Sequence, residues 1–331
     1  MKNKALLLLS GLVVLLSITG CDKPSPLVSD YGVSIMAPAA GKTSKFVFSA
    51  DELDLLRSSN GLAFMVMPHI FEFDTGEVFL RLFSPLALAQ GLSCYPYEDV
   101  VSQDFTGLGR LPVQDLCHYY SEVVKNFQSI NTLDFFFDVH PIERSENTTG
   151  DTFIVSQKVA LRGTLPLNTA MTLPFFKDDS LNIVDIPLEE GTFSMLIFKP
   201  TGSFQTFLRT FTEKHFLEYY SRLSQHLVKI QGKPYHYSYA VDLAQPLQKA
   251  GLGHLLPQHF AKDSLQDKSP SLSVEIRQQI SLDLSLEKGN IMKKNEEKIV
   301  RGTIKFEIVP PYIFFIKEQS TNTILLLGIC E

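Results

Sequence analysis

The chain ends with Val309-Pro310-Pro311-Tyr312-Ile313-Phe314-Phe315-Ile316, then Lys317-Glu318-Gln319-Ser320-Thr321-Asn322-Thr323, then Ile324-Leu325-Leu326-Leu327-Gly328-Ile329-Cys330. Two apolar runs of strand length flank a short polar segment. Neither run alternates with polar residues, a pattern typical of strands that are buried on both faces. The polar segment is rich in Ser, Thr and Asn, which favour turns. The C-terminus is therefore predicted to form a β-hairpin inside the core of a domain.

The segment immediately upstream of this hairpin is highly charged and shows no periodic pattern. It runs from Glu287 to Thr303 and contains the stretch Lys293 to Lys298, in which five of six residues are charged. Charge without hydrophobic periodicity is typical of a solvated loop. We therefore expect an exposed loop to lead into the buried hairpin.

The first 20 residues have the pattern of an export signal. Lys2 and Lys4 give a positive start, and an apolar run follows from Ala5 to Ser17. Small residues then precede Cys21, as in bacterial lipoproteins, which predicts a lipid on that cysteine. The alternative is a transmembrane anchor with an incidental cysteine, but the apolar run is short for a span. The predicted location is the cell envelope, with a lipid anchor in an inner or outer membrane.

The rest of the sequence is typical of a globular protein. Residues 21–49 are rich in Pro, Ser, Gly and Ala and are predicted to form the lipidated terminus and a linker, and residues 50–331 a single domain. The net charge of −6 argues against a nucleic-acid partner, which needs a basic face. The cysteines at 94, 117 and 330 include no CxxC motif, and their odd number would leave a thiol over after one disulfide. The histidines show no HxxxH spacing, so we expect no metal and no cofactor.

Strand and helix patterns alternate irregularly along the domain. Because there is no repeated βαβ unit, the sequence predicts an α+β fold rather than a doubly wound sheet. Helical patterns cover residues 49–57, 86–92, 111–127, 204–217 (continuing towards 227) and 243–250, with 61–73 as helix or strand. Strand patterns cover residues 77–83, 134–140, 152–161, 183–187, 193–199, 235–239 and 272–286.

Several of these segments, taken in order, resemble the serpin family. The resemblance runs from about Asn60 to the end of the chain. It rests on a strand leading into Phe83-Ser84-Pro85, a strand ending in Leu161-Arg162-Gly163, the hairpin from Ile183 to Pro200, the helix from Val241 to Leu252, and the C-terminal hairpin. It implies a large mixed β-sheet, smaller sheets and surrounding helices. It also implies that the chain is not an enzyme, and no GxSxG or phosphate-binding loop is present.

The chain departs from the family in length and in one polar cluster. It is shorter than a usual serpin between Ser84 and Gly163 and again between Gly163 and Ile183. Where the family pairs an Asn on the central strand with a His on the long strand, counting gives Gln157 and Gln279. Two amides can still bond to each other. The resemblance therefore predicts a polar cluster of Ser84, Gln157 and Gln279 beneath the place where the main sheet opens.

Function depends on the loop upstream of the hairpin. The resemblance places its hinge at Glu287, Gly289 and Asn290 and a candidate cleavage bond at Val300–Arg301. Inhibitory serpins trap a protease by inserting the cleaved loop into the main sheet, which requires small apolar residues. Charges between Lys293 and Lys298 oppose insertion, because a buried, unpaired charge is costly. We therefore expect a non-inhibitory protein-interaction module. The alternative is an inhibitor of trypsin-like proteases, whose partner would be the protease.

Overall fold

A computed structural model describes residues 27–28, 34–35, 46–73, 79–93, 113–128, 134–145, 152–188, 191–253, 273–286 and 302–331. The helices are α1 (Ala50–Phe73), α2 (Pro85–Ser93), α3 (Val113–Gln128), α4 (Phe204–Thr210), α5 (Glu213–Ser221) and α6 (Ala244–Leu247), the last followed by a π-helical turn, Gln248–Leu252. The strands are β1 (Leu27–Val28), β2 (Ser34–Ile35), β3 (Leu80–Phe83), β4 (Asp134–Ser145), β5 (Thr152–Leu165), β6 (Ala170–Lys177), β7 (Leu181–Leu188), β8 (Phe193–Pro200), β9 (Ser224–Gln231), β10 (Tyr235–Asp242), β11 (Ser273–Leu286), β12 (Ile304–Glu307), β13 (Tyr312–Glu318) and β14 (Ile324–Cys330).

The C-terminal hairpin lies in the interior of an eight-stranded sheet. The strand order is β12-β9-β6-β7-β8-β13-β14-β3, so both hairpin strands have neighbours on each side. Every residue of β13 and β14 is buried. A Cβ on Gly328 would lie 2.1 Å from the ring of Phe314, so only glycine permits this close packing across the hairpin. The prediction of a buried hairpin is confirmed.

A second, four-stranded sheet has the order β10-β11-β5-β4. Its two central strands, β11 and β5, are parallel, whereas both outer strands run antiparallel to their neighbours. A further short pair joins β1 to β2. The helices α1, α2 and α3 contact one another and pack against the sheets. Mixed sheets with separate helices confirm the predicted α+β class.

The sequence placed the start of the first helix correctly and left the nature of its second half open. Ser49 and Glu52 form a capping box, in which each side chain accepts a hydrogen bond from the other's backbone N–H. The segment predicted as helix or strand continues α1 to Phe73. The folded core begins before the predicted boundary at residue 50, because Phe46 is buried and its ring packs against Phe127 and Phe193.

One predicted helix was too long. Instead of a helix from Phe204 towards Leu227, the chain forms α4, α5 and then the strand β9, which contains Leu227. Thr212 interrupts the helix, because its side chain and that of His215 form a capping box that starts α5. Apolar spacing alone could not show this break. The stop predicted at Gly251 is present, with φ at +78° inside the π-helical turn.

Candidate functional site: an amide cluster beneath a parallel strand pair

The parallel pair β5–β11 forms a continuous seam. It is paired in register over 14 residues of each strand, from Thr152 with Ser273 to Leu165 with Leu286. Side chains alternate between the two faces of the sheet. One face is buried and the other is half-buried or exposed to solvent. Where burial is described, the buried side chains on β5 and β11 are Val155, Gln157, Val159, Leu161, Leu165, Ile276, Gln278, Ile280, Leu282 and Leu284.

Two glutamines lie on this buried face among aliphatic residues. Gln157 and Gln278 are register partners, and both are fully buried, as is Ser84 at the start of α2. We call Ser84, Gln157 and Gln278 the amide cluster. Ser84 reaches the seam because it caps α2: Pro85 occupies the first helical position and the Ser84 Oγ accepts a hydrogen bond from Ala87 N at 3.3 Å.

The hydrogen bonds of the cluster use nearly all of its polar atoms. Gln278 Nε2 donates to Gln157 Oε1 at 2.8 Å and to Ser84 O at 2.9 Å. Gln278 Oε1 accepts from Ser84 N at 3.0 Å. Gln157 Nε2 donates to Ala87 O at 2.9 Å, and Ser84 Oγ donates to Leu325 O at 2.7 Å. The cluster therefore joins both seam strands, α2 and the C-terminal hairpin.

The packing around Gln157 leaves no room for another atom. A Cβ on Gly91, in α2, would lie 1.9 Å from Gln157 Nε2. Glycine at this position thus lets the helix approach the amide closely.

The structure corrects one residue of the predicted cluster. Gln279 is exposed and pairs in the sheet with Ala240 and Lys158, whereas Gln278 bonds to Ser84 and Gln157. A shift of one residue along a strand moves a side chain to the opposite face. Counting from a distant motif located the strand but not its register, and two adjacent glutamines carried no pattern that could decide between them.

The other predicted site residues lie outside the described residues. These are Cys21, the hinge residues Glu287, Gly289 and Asn290, and the candidate bond Val300–Arg301. The structure describes the chain up to Leu286 at the end of β11 and again from Gly302, which has a φ of +102°. Among the described residues, no helix combines the length and apolar character needed to cross a membrane.

The cysteines that can be described differ in state. Cys117 is disulfide-bonded, whereas Cys330 is a buried free thiol. Burial raises the pKa of Cys330 to about 11. Cys94 lies outside the described residues.

A charged cluster at the hairpin turn was missed by the sequence analysis. The turn segment was expected to be an ordinary polar connection, but Lys317 and Glu318 are 0% and 1% exposed. Lys317 Nζ lies 3.5 Å from Asp185 Oδ2 on β7. It donates to Asn322 Oδ1 at 3.0 Å and to Tyr220 Oη at 3.1 Å. We call Asp185, Tyr220, Lys317, Glu318 and Asn322 the hairpin-turn cluster.

The hairpin-turn cluster holds a buried charge with its partners. Burial is the largest single influence on the pKa of Lys317 and lowers it, but Asp185, Tyr220 and Glu318 together outweigh burial, so the pKa lies above the usual value. The Glu318 carboxylate accepts hydrogen bonds from the backbone N–H and hydroxyl groups of Ser320 and Thr321. Three buried atoms nearby in the fold have no partner in the described chain: Asp185 Oδ1, Ser194 Oγ and Asn322 Nδ2. The available signal was the pair Lys317 and Glu318 at the end of an otherwise apolar strand.

Comparisons with known proteins find the same architecture in one protein family. A family model described as "Serpin (serine protease inhibitor)" matches residues 144–331. No curated protein sequence gives a match. Among solved structures, SRPN18 from Anopheles gambiae is 12% identical over 83% of this chain and 97% of its own, with a TM-score of 0.63. A tumour suppressing serpin is 12% identical over 85% and 99%, with a TM-score of 0.62.

A thermophilic serpin, tengpin, in its native state is 13% identical over 87% of this chain and 96% of its own, with a TM-score of 0.59. At such identities the structural matches show the fold. The family model covers more than half of the chain, including the seam strands and the C-terminal hairpin. This chain therefore belongs to the serpin family.

Proposed function

We propose that this serpin-family chain is a non-inhibitory protein-interaction module of the cell envelope, tethered to a membrane by a lipid on Cys21. The observation that carries the proposal is the seam between β5 and β11, which has one face buried in the core from Val155 to Leu161 on β5 and from Ile276 to Leu284 on β11. A protease trap would have to insert its loop at this seam. The loop that follows β11 is charged between Lys293 and Lys298, so its sequence is unsuited to the buried face of the seam.

The loop would bury charges in either register. The loop follows β11 in the chain. If it were inserted, it would form a strand between β5 and β11, and its side chains would alternate between the two faces of the sheet. One register would direct Lys294, Glu296 and Lys298 into the core. The other would direct Lys293 and Glu297 there. Each buried ion costs several kcal/mol even after relaxation, and a pair recovers this only with good geometry.

Insertion would also break the amide cluster. The Gln157–Gln278 bond links the two strands that would have to separate. Both amides are fully buried, so each would need a replacement partner from the inserted strand. Gln278 would remain bonded to Ser84, but Gln157 Oε1 would lose its donor. The closed seam is thus supported by both its own bonds and the composition of the loop.

A second candidate function is protease inhibition. The family model's own description, a serine protease inhibitor, favours it. Arg301 beside the candidate cleavage bond would suit trypsin-like enzymes. In this alternative the loop would be cleaved near Val300–Arg301 and would insert despite its charges.

The deciding experiment is a thermal melt before and after limited trypsin cleavage near Val300–Arg301. If the loop stays outside, the nicked and intact proteins should melt within a few degrees of each other, since only a change of several kcal/mol would move the midpoint further. No SDS-stable complex with trypsin should form. A large rise in melting temperature on cleavage, or a covalent complex, would restore the inhibitor interpretation.

A charge variant tests whether the loop charges are what prevents insertion. Replacing the charged residues between Lys293 and Lys298 with Ala and Thr removes the charge barrier but leaves the seam intact. If charge alone prevents insertion, this variant should gain stability on cleavage.

For the lipid anchor, Cys21→Ser should move the protein from the membrane to the soluble fraction. Wild-type protein in the soluble fraction with its first 20 residues intact would refute the anchor.

A further inference from the structure

The free edge of the eight-stranded sheet borders a basic cleft. Within the described chain, β12 pairs only with β9 and forms one end of this sheet. The sheet curls, so that Lys199 Nζ on β8 reaches the Glu307 carbonyl on β12, four strands away in the sheet order, and donates to it at 3.0 Å. Between them lies a cleft of about 240 Å³. Its lining includes Phe175, Lys177, Lys199, Lys305, Phe306 and Glu307.

Backbone groups of β12 face this cleft. Ile308 N donates to Gln231 O on β9 at 2.7 Å. The backbone N–H and C=O groups of Ile308, and of every second residue before it, therefore point towards β9. The N–H and C=O groups of successive residues in a strand point to opposite edges. The backbone groups of Lys305 and Glu307 therefore face away from β9. The contact of Lys199 Nζ with the Glu307 carbonyl agrees with this direction.

The cleft concentrates positive charge in a protein whose net charge is −6. Lys177 on β6 and Lys199 on β8 are both register partners of Asn182 on β7, so the two lysines flank it on one face. Lys305 on the edge strand also lines the cleft, and its side chain lies on the exposed face of β12. Burial lowers the pKa of Lys199, and the Glu307 carboxylate opposes that shift. The residues that line the cleft thus include three lysines and one carboxylate, that of Glu307.

We propose that this cleft binds an extended, acidic segment of a partner protein, which adds to β12 as a further strand. The inference rests on the proposed function as an interaction module and names the chemistry of its partner. The Glu307 carbonyl already accepts hydrogen bonds from Val309 N and Lys199 Nζ, so the backbone groups of Lys305 and the N–H of Glu307 would pair with the peptide backbone. Backbone pairing is the usual source of affinity in strand addition. The lysines would bind the carboxylates of the segment.

The first test uses a fluorescein-labelled seven-residue peptide of alternating Glu and Val, titrated with the full protein and followed by anisotropy. A peptide of alternating Lys and Val is the matched control and should not bind. Binding should weaken between low and high salt, because exposed charge pairs are screened. Equal binding of both peptides, or none by the acidic one, would overturn the proposal.

Charge variants locate the site. Lys177→Glu and Lys305→Glu should each weaken acidic-peptide binding by about tenfold, the size expected when an attractive pair becomes repulsive. Lys214→Glu, an exposed lysine on α5 outside the cleft, is the control and should bind as the wild type does. Glu307→Gln should have the opposite effect and tighten binding, because it removes the one carboxylate of the cleft. No difference among these variants would place the peptide elsewhere.

Backbone variants test strand addition. Lys305→Pro removes an N–H that faces the cleft and leaves the pairing with β9 in place, whereas Lys305→Ala keeps that N–H. Peptide binding should be weaker to the proline variant than to the alanine variant. A peptide with N-methyl groups on alternate residues repeats the test without changing the protein. Dextran sulfate provides a polyanion without peptide groups. If it competes as well as the acidic peptide and N-methylation has no effect, binding is electrostatic only and strand addition is refuted.

These outcomes are independent of protease trapping. Failure of the peptide to bind, with no stabilisation on loop cleavage, would refute the cleft alone. Stabilisation on loop cleavage would refute the non-inhibitory function, whatever the peptide does.

Discussion

The amide cluster and the hairpin-turn cluster both bury polar groups in an apolar core, but they do so differently. The amide cluster is neutral, and its hydrogen bonds use side-chain amides and backbone groups of four elements. The hairpin-turn cluster contains a buried ammonium group and leaves several nearby polar atoms without partners in the described chain. The first crosses a seam between two strands. The second holds a turn inside one sheet.

The contrast shows which kind of polar group suits each place. A neutral amide loses about 1 kcal/mol per hydrogen bond when its partner moves away, with a further cost if it stays buried without one. A buried ion loses several kcal/mol. A charged pair is therefore suited to a hairpin that never opens, because separation would be far more costly. Neutral amides suit the seam between β5 and β11, because separating them would cost less.

The largest expected effect comes from removing the buried lysine charge. Lys317→Met leaves the Asp185 carboxylate buried without its ion-pair partner and should destabilise the protein by about 3–5 kcal/mol. Urea unfolding at pH 7 measures the change. The double variant Lys317→Met/Asp185→Leu removes both charges and should recover much of the loss. Comparable losses in the single and double variants would show that charge pairing is not the cause.

The amide cluster should respond less strongly. Gln278→Leu leaves Ser84 N and Gln157 Oε1 without their partners and should cost about 1–3 kcal/mol. Gln279→Leu is the matched control on the exposed face and should change stability by less than about 0.5 kcal/mol. The same urea measurement serves both. A greater loss for Gln279→Leu than for Gln278→Leu would contradict the register of β11.

The smallest and most specific difference concerns alkaline pH. The folded-state pKa of Lys317 is raised above its ordinary 10.5. Its contribution is therefore fully present below about pH 10.5 and is lost as pH rises through the folded-state pKa. The stability difference between wild type and Lys317→Met should shrink above pH 10.5. The difference for Gln278→Leu should stay constant, because amides do not titrate. Unfolding curves from pH 7 to 11.5 test this, and parallel behaviour of the two variants would contradict it.

Local patterns predicted much of the fold. Unbroken apolar runs located the hairpin, and Ser49 with Glu52 located the start of α1. The polar segment of the hairpin was less informative, because a turn sequence rich in Ser and Thr is usually solvated. Here it is buried, since β7 and α5 supply Asp185 and Tyr220 around Lys317. These partners are more than 90 residues away in the sequence, so no local pattern could show them.

The sequence by itself determined the residue types of the candidate site: a serine beside a proline that starts a helix, a glutamine on one strand, and two adjacent glutamines on another. It also determined the charges of the loop between Lys293 and Lys298, since side-chain charge needs no fold to be known. Only the tertiary structure decided that Gln278 faces Gln157, because register depends on the pairing of β11 with both its neighbours. It also decided that β12 borders a lysine-lined cleft, because the curl of an eight-stranded sheet brings residues 199 and 307 together. Both depend on contacts between distant segments, which form only when the whole domain packs.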